Sequence, residues 1–327
     1  MRAGARLGLV LLAGAVAAVF AAPAAASLSV VVTIKPLHAL VARVMGDTGS
    51  PQLLVQGSLS AHTYALKPSD ASRLNAADVF FRMSEAMEPF TARLVKSLPR
   101  RVQVVTLQET PQLTLLERRG GASFDDNGPG NDHGKGHHGH AHSRDHGTID
   151  GHAWLDPVNA RLMADRIAEI LGARAPAQAA AFRANSARLK AELDALNAEL
   201  ARDLAPVAGK PYVVFHDALQ YFELRYGLKP AGSIAVSPEI PPSARRLTAL
   251  RARISQGGAE CVFAEPQFDT RLVTAVVEDT PARVGTIDPE GSRIEPGPDH
   301  YFTLLRNLAR DLKACLAPVS DPPDQTP

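Results

Sequence analysis

Short, continuously apolar runs punctuate the chain, and stretches with helical periodicity separate them. One group of runs lies at 30–34, 52–57, 78–83 and 103–107, and a second at 212–215, 230–235, 261–264 and 284–287. Runs of this length that do not alternate with polar residues are the mark of strands covered on both faces, as in parallel sheets. Helix-like stretches at 37–44, 68–76 and 89–97 fill the gaps of the first group. Those at 218–226, 243–255, 270–277 and 301–315 fill the second. The pattern predicts an α/β chain of two small, similar halves, each a parallel sheet with covering helices.

Residues 177–204 follow a different rhythm. Phe182, Leu189, Leu193, Leu196, Leu200 and Leu204 fall on one stripe of a single helix. Ala, Glu, Lys and Arg fill most of the other positions, and all are good helix formers. A helix of that length would run about 42 Å, enough to bridge two domains. Pro176 and Pro206 bracket it, and the stripe is too short for a dimerising coiled coil. The predicted division is a first lobe at 27–175, a linking helix at 176–206, a second lobe at 207–317 and a disordered tail at 318–327.

The first 26 residues read as an export signal. Arg2 and Arg6 precede an uncharged apolar run from Leu7 to Phe20, and Ala24-Ala25-Ala26 offers a small-residue cleavage site before Ser27. A run of about 14 residues is short for a hydrocarbon core of about 30 Å, which disfavours a membrane anchor. No cysteine follows the cleavage site to carry a lipid. Composition agrees with an exported globular protein: of 327 residues, 45% are hydrophobic, and Lys+Arg (35) nearly balance Asp+Glu (34). No basic field is present for nucleic acid. Cys261 and Cys315 are the whole cysteine set. In an oxidising compartment a disulfide is the expected state, the alternative being two separate buried thiols. Closing a loop of about 54 residues would contribute roughly 4 kcal/mol.

The histidines divide into two sets. Six of the eleven, His133, His137, His138, His140, His142 and His146, crowd a Gly-rich insertion at 118–150. Such a composition buries too little apolar surface to order itself, so the insertion reads as a solvated loop that contacts metal weakly. The second set is spread along the framework: His62 in SAHTYALKPSD, His152 in GHAWLDP, His216 in VVFHDALQYFE, together with Asp288 in TIDPEG. Three of the four follow predicted strand ends, where open α/β sheets place their ligands. Three neutral imidazoles and one carboxylate would suit tetrahedral zinc. His38 and His300 lie within helical stretches and read as structural. The zinc-protease motif HExxH, the GxSxG elbow and the phosphate-binding GxxxxGK[ST] are absent. Glu265, Asp217 and Glu223 remain as carboxylates able to act as bases near a metal.

The motifs TIKPLHAL, AHTYALKPSDA, GHAWLDP, VFHDALQYFE, AEPQF and TIDPEG stand in this order, with a His/Asp-rich loop before GHAWLDP. Over residues 30–315 the chain thereby resembles the zinc-binding periplasmic substrate-binding proteins of ABC importers, of the high-affinity zinc uptake type. The resemblance implies two Rossmann-like lobes bridged by one long helix, with metal in the cleft between them. It implies ligands at His62, His152 and His216, with Asp288 as the fourth ligand in some members, and a Cys261–Cys315 disulfide found in part of the family. One departure is the loop before the first histidine, QGSLSAH here and usually Pro-Gly rich in the family. Related manganese binders carry glutamate where His216 stands, and imidazole there favours zinc.

The expected function is therefore capture of Zn2+ in the periplasm and its delivery to an inner-membrane ABC permease. The contact with the permease would be transient and the protein a monomer; periplasmic metallochaperones are further possible partners. Two rival readings are a zinc-dependent hydrolase and a metal buffer or chaperone without a permease. A hydrolase would need an open coordination position and a base beside it.

Overall fold

The computed structural model describes residues 28–119, 124 and 149–317. The export signal, the six loop histidines and the tail lie outside the described residues.

Each lobe is built on a four-stranded, all-parallel sheet. In the first, β1 (Val30–Val32), β2 (Gln52–Leu53), β3 (Val79–Arg82) and β4 (Gln103–Thr106) stand in the order β2-β1-β3-β4. In the second, β5 (Pro211–His216), β6 (Lys229–Ala235), β7 (Cys261–Ala264) and β8 (Arg283–Thr286) stand in the order β6-β5-β7-β8. The topology is the same in both, so the two halves of the chain repeat one plan. Val30, Val31, Val32, Val79, Phe80 and Phe81 are all buried, as are Tyr212, Val213 and Val214. Central strands covered on both faces explain why these runs are continuously apolar.

The helices α1 (Lys35–Met45), α2 (Pro68–Ala76) and α3 (Thr91–Ser97) belong to the first lobe. The second carries α6 (Gln220–Tyr226), α7 (Ala244–Arg253), α8 (Arg271–Val277) and α9 (His300–Leu316). Between these two sets in sequence stand α4 (Pro157–Arg174), which packs on α1 and α5, and α5 (Ala179–Leu204), which packs on helices of both lobes. The apolar stripe predicted for α5 is its buried face, with Ser186 added. The Ser186 hydroxyl donates to Asp165 of α4 at 2.9 Å, which explains a polar group on that face.

The sequence pattern offers no element at 157–174, yet α4 is there. Its buried face is built largely of Ala160, Ala164, Ala168, Met163, Ile167 and Leu171, so alanine dilutes the apolar signal. Its start is nonetheless well specified. Asp156 is the N-cap and accepts from the Val158 N–H at 2.9 Å, while Pro157 occupies the first turn.

One hydrophobic core runs through both lobes. It joins Val30, Val32 and Leu37 through Leu189, Leu193 and Leu196 of α5 to Tyr212, Phe263 and Leu305. Cys261 of β7 and Cys315 of α9 are disulfide-bonded, with Cα atoms 6.2 Å apart.

Candidate metal centre

His216 is the last residue of β5, and Glu265 directly follows the neighbouring strand β7. One carboxylate oxygen of Glu265 accepts from both the His216 backbone N–H (3.2 Å) and its ring Nδ1 (2.6 Å). His152 is held by the same device: Asp150 Oδ1 accepts from its backbone N–H at 3.0 Å and from its Nδ1 at 2.7 Å. Gly151 sits between the two, because a Cβ there would lie 2.9 Å from the Met87 Cβ. His62 lies on the connection between β2 and α2, where Ser60 Oγ accepts its backbone N–H at 3.3 Å. Its Nδ1 meets Glu239 Oε1 at 3.1 Å, across the cleft on the segment between β6 and α7.

Each imidazole thus turns its Nδ1 to a carboxylate, which can only accept, so the hydrogen resides on Nδ1 and Nε2 presents a lone pair. The three Nε2 atoms converge. His152 Nε2 is 3.3 Å from His62 Nε2 and 3.4 Å from His216 Nε2. Among the described residues these three form a group whose donor atoms all lie within 4.8 Å of one another. Three lone pairs without a hydrogen between them repel, and a cation in their midst removes the repulsion. The spacing is informative: tetrahedral zinc with Zn–N near 2.0–2.1 Å sets its ligand atoms about 3.3–3.4 Å apart. Carboxylates on the far ring nitrogens are the usual support of metal-bound histidine.

Burial keeps two of the three imidazoles neutral, while the third is held by its carboxylate neighbours. Burial pulls the His62 pKa down to about 4, and pulls His152 well below the ordinary histidine value. His216 is penalised by burial as well, but the carboxylates of Glu265, Glu290 and Asp217 together outweigh that and its pKa is raised. Burial pushes Asp150 up to about 6 and Glu290 up to about 8. Trp154 lies against the His152 ring and Phe268 edge-on to that of His216, at centroid separations of 5.2 Å and 5.9 Å.

Asp288 is outside the three-histidine group. Its Oδ1 accepts from Gln267 Nε2 at 2.9 Å and its Oδ2 from Ser292 Oγ at 2.8 Å, so both oxygens are already engaged. Glu290, two residues on, is the more buried carboxylate and receives Ser60 Oγ at 3.4 Å. Of the other candidate bases, Glu265 orients His216, and Asp217 and Glu223 both pair with Arg119. Tyr212 also donates to Glu223, at 3.0 Å. His38 and His300 bond backbone carbonyls, of Pro51 and of Glu290 and Glu295 respectively. Sequence reasoning missed Asp150 and Glu239 as partners of the ligands. Asp150 stands two residues before His152 and was accessible to it. Glu239 carries no local signal, because its partner lies in the other lobe.

The family model of the zinc-uptake complex component A, periplasmic, matches residues 30–315 of the chain. A curated relative from Brucella suis, named High-affinity zinc uptake system protein ZnuA, is 44% identical over 309 residues, covering 88% of this chain and 91% of the relative. A protein of the same name from Yersinia pestis is 35% identical, covering 89% of this chain and 92% of its own length. Among solved structures, one described as ZnuA superposes with a TM-score of 0.72 at 24% identity. It covers 89% of this chain and all of its own, and shares the fold.

Proposed function

The chain belongs to the zinc-uptake complex component A family of periplasmic proteins, and from that membership we propose that it is the Zn2+-binding component of an ABC-type zinc uptake system. The zinc ion is cargo, held on His62, His152 and His216. The observation that carries this assignment is the 3.3 and 3.4 Å spacing of the three Nε2 atoms, each ring being tethered by a carboxylate at its far nitrogen. Buried imidazoles are nitrogen donors suited to zinc rather than to hard, oxygen-seeking cations.

Solvent takes the fourth coordination position in this reading, since Asp288 would have to leave both Gln267 and Ser292 to reach the ion. The role is transport and not catalysis: Asp150, Glu239 and Glu265 are each spent on an imidazole and are poorly placed to serve as bases. The protein works as a monomer that meets an ABC permease in the membrane, after cleavage of the export signal near Ala26. Metal analysis combined with a chelator-competition titration tests the assignment. One tight equivalent of zinc is expected, and its persistence after replacement of all three histidines by alanine would refute the site.

A further inference from the structure

The three ligand histidines differ in where their supporting carboxylates come from. Asp150 stands two residues from His152, and Glu265 directly follows the strand beside that of His216. Both are supplied within their ligand's own lobe, and their side chains are only 4% and 2% exposed. Glu239 belongs to the second lobe and supports His62 of the first, and its side chain is 35% exposed. The segment that carries it has fixed ends. On one side, Arg246 of α7 donates from Nε to the Ile234 carbonyl at 2.9 Å, tying α7 to the end of β6. On the other, Ser243 caps α7 by accepting from the Arg246 N–H. Between these ends the chain reads VSPEIPPS, with Val236 43% and Ile240 61% exposed.

We propose that Glu239 is a positioning residue that couples zinc retention to closure of the cleft, by holding the His62 ring in its ligating orientation from the opposite lobe. This deepens the assignment of the three-histidine site and rests on it. When the 236–242 segment lies against the first lobe, the Glu239 carboxylate fixes the hydrogen on His62 Nδ1 and aims Nε2 at the ion. When the segment lifts, the ring loses that tether and rotates on a loop, and the ion keeps two firmly supported ligands.

The test is the rate of zinc loss to excess chelator, by stopped flow, for Glu239→Ala, Glu239→Gln and His62→Ala in the full chain. Glu239→Ala is expected to accelerate zinc loss about 10–100-fold, the usual range for removing a support of a metal ligand. The thermal midpoint of the zinc-free protein should stay at the wild-type value, which a merely structural role would lower. Glu239→Gln should recover most of the loss, because its amide oxygen can still accept from Nδ1. Adding Glu239→Ala to His62→Ala should change nothing further, since the effect runs through that ring. A wild-type rate in Glu239→Ala, no recovery by Gln, or an undiminished effect without His62 would each overturn the inference. If instead His62→Ala itself retained zinc like the wild type, the site assignment would fall first.

Discussion

Replacing His216 by alanine removes one nitrogen donor while the rest of the site keeps its supports. Asp150 still holds His152 and Glu239 still holds His62, through bonds of 2.7 Å and 3.1 Å. The free energy at stake follows from the total. Zinc held by four protein ligands is bound by about 10–16 kcal/mol, so one ligand is worth about 2.5–4 kcal/mol. At 1.36 kcal/mol per decade, affinity should fall by roughly 10²–10³-fold. Water can fill the vacated position, which favours the lower end. The change also strips Glu265, buried at 2% exposure, of its ring partner, leaving its Oε1 with the backbone N–H of residue 216. A modest loss of thermal stability in the zinc-free protein should accompany the loss of affinity. Competition against a chromophoric chelator at neutral pH reads the dissociation constant directly, with melting curves as the control for folding. A constant within about threefold of the wild type, some 0.6 kcal/mol, would remove His216 from the site.

Asp288→Ala provides the contrast: with both oxygens bonded to Gln267 and Ser292, its loss should change zinc affinity by less than about tenfold, or 1.4 kcal/mol, in the same titration. Glu88 predicts a pH dependence of stability far from the histidines. Its carboxylate is fully buried, accepts from the Met83 and Ser84 N–H groups at 2.8 and 3.0 Å and from the Thr33 hydroxyl, and burial pushes its pKa from 4.5 up to about 7. The folded state therefore holds a proton that the unfolded chain releases, so this contribution is complete below pH 4.5 and is lost as pH rises through 7. Glu88→Gln should flatten the melting temperature of the zinc-free protein across that window, and an unchanged slope would contradict the reasoning. Deleting residues 125–148, which carry all six loop histidines, should abolish weaker zinc equivalents in calorimetry and leave the tight one. Disappearance of the tight equivalent would move the principal site into the insertion.

The central strands β1, β3, β5 and β7 were legible because they are covered on both faces, and burial writes itself into the sequence as an apolar run. The edge strand β8, with Val284 56% exposed, was marked only by a short run. The eight runs correspond to the eight strands among the described residues, differing only at their ends. β2 is the shortest, two residues against a run of six, because only Gln52 and Leu53 pair with β1. Helix α4 was illegible for the opposite reason. It buries small alanines against α5, and alanine marks a helix without marking its face. The three histidines that the fold brings together stood out in the sequence because His62 and His216 follow predicted strand ends and His152 lies in the turn-rich motif GHAWLDP. Their supports were harder to see. Asp150 and Glu265 act within a few residues or one strand of their partners, whereas Glu239 acts across 177 positions of sequence through a contact that exists only once both lobes are folded. Asp288 shows the converse: a carboxylate at the right strand end, in the right motif, whose oxygens the fold commits to Gln267 and Ser292.

How such a site lets go of its ion depends on what can move. The two lobes are not beads on a flexible linker, since one core passes through α5 from sheet to sheet. Polar pins reinforce it. Lys35 of α1 donates to the carbonyls of Ser292 and Ile294 at 2.7 and 2.9 Å, and Arg43 pairs with Asp299 at 2.6 Å. Trp154, two residues from His152, donates to the Pro289 carbonyl at 3.3 Å, and its own carbonyl receives the Tyr301 hydroxyl at 2.6 Å. His152 therefore moves with the second lobe as much as with the first, and His216 is built into a central strand of that lobe. Opening the whole molecule about a hinge would mean exposing core side chains such as Leu193 and Leu196, each worth about 1.5–3 kcal/mol of burial, and breaking these pins. Swinging His62 away costs far less: one loop, one bond to a half-exposed carboxylate and one ring rotation. A carrier with two fixed ligands and one movable ligand can hold zinc tightly when closed and still release it without unfolding its core.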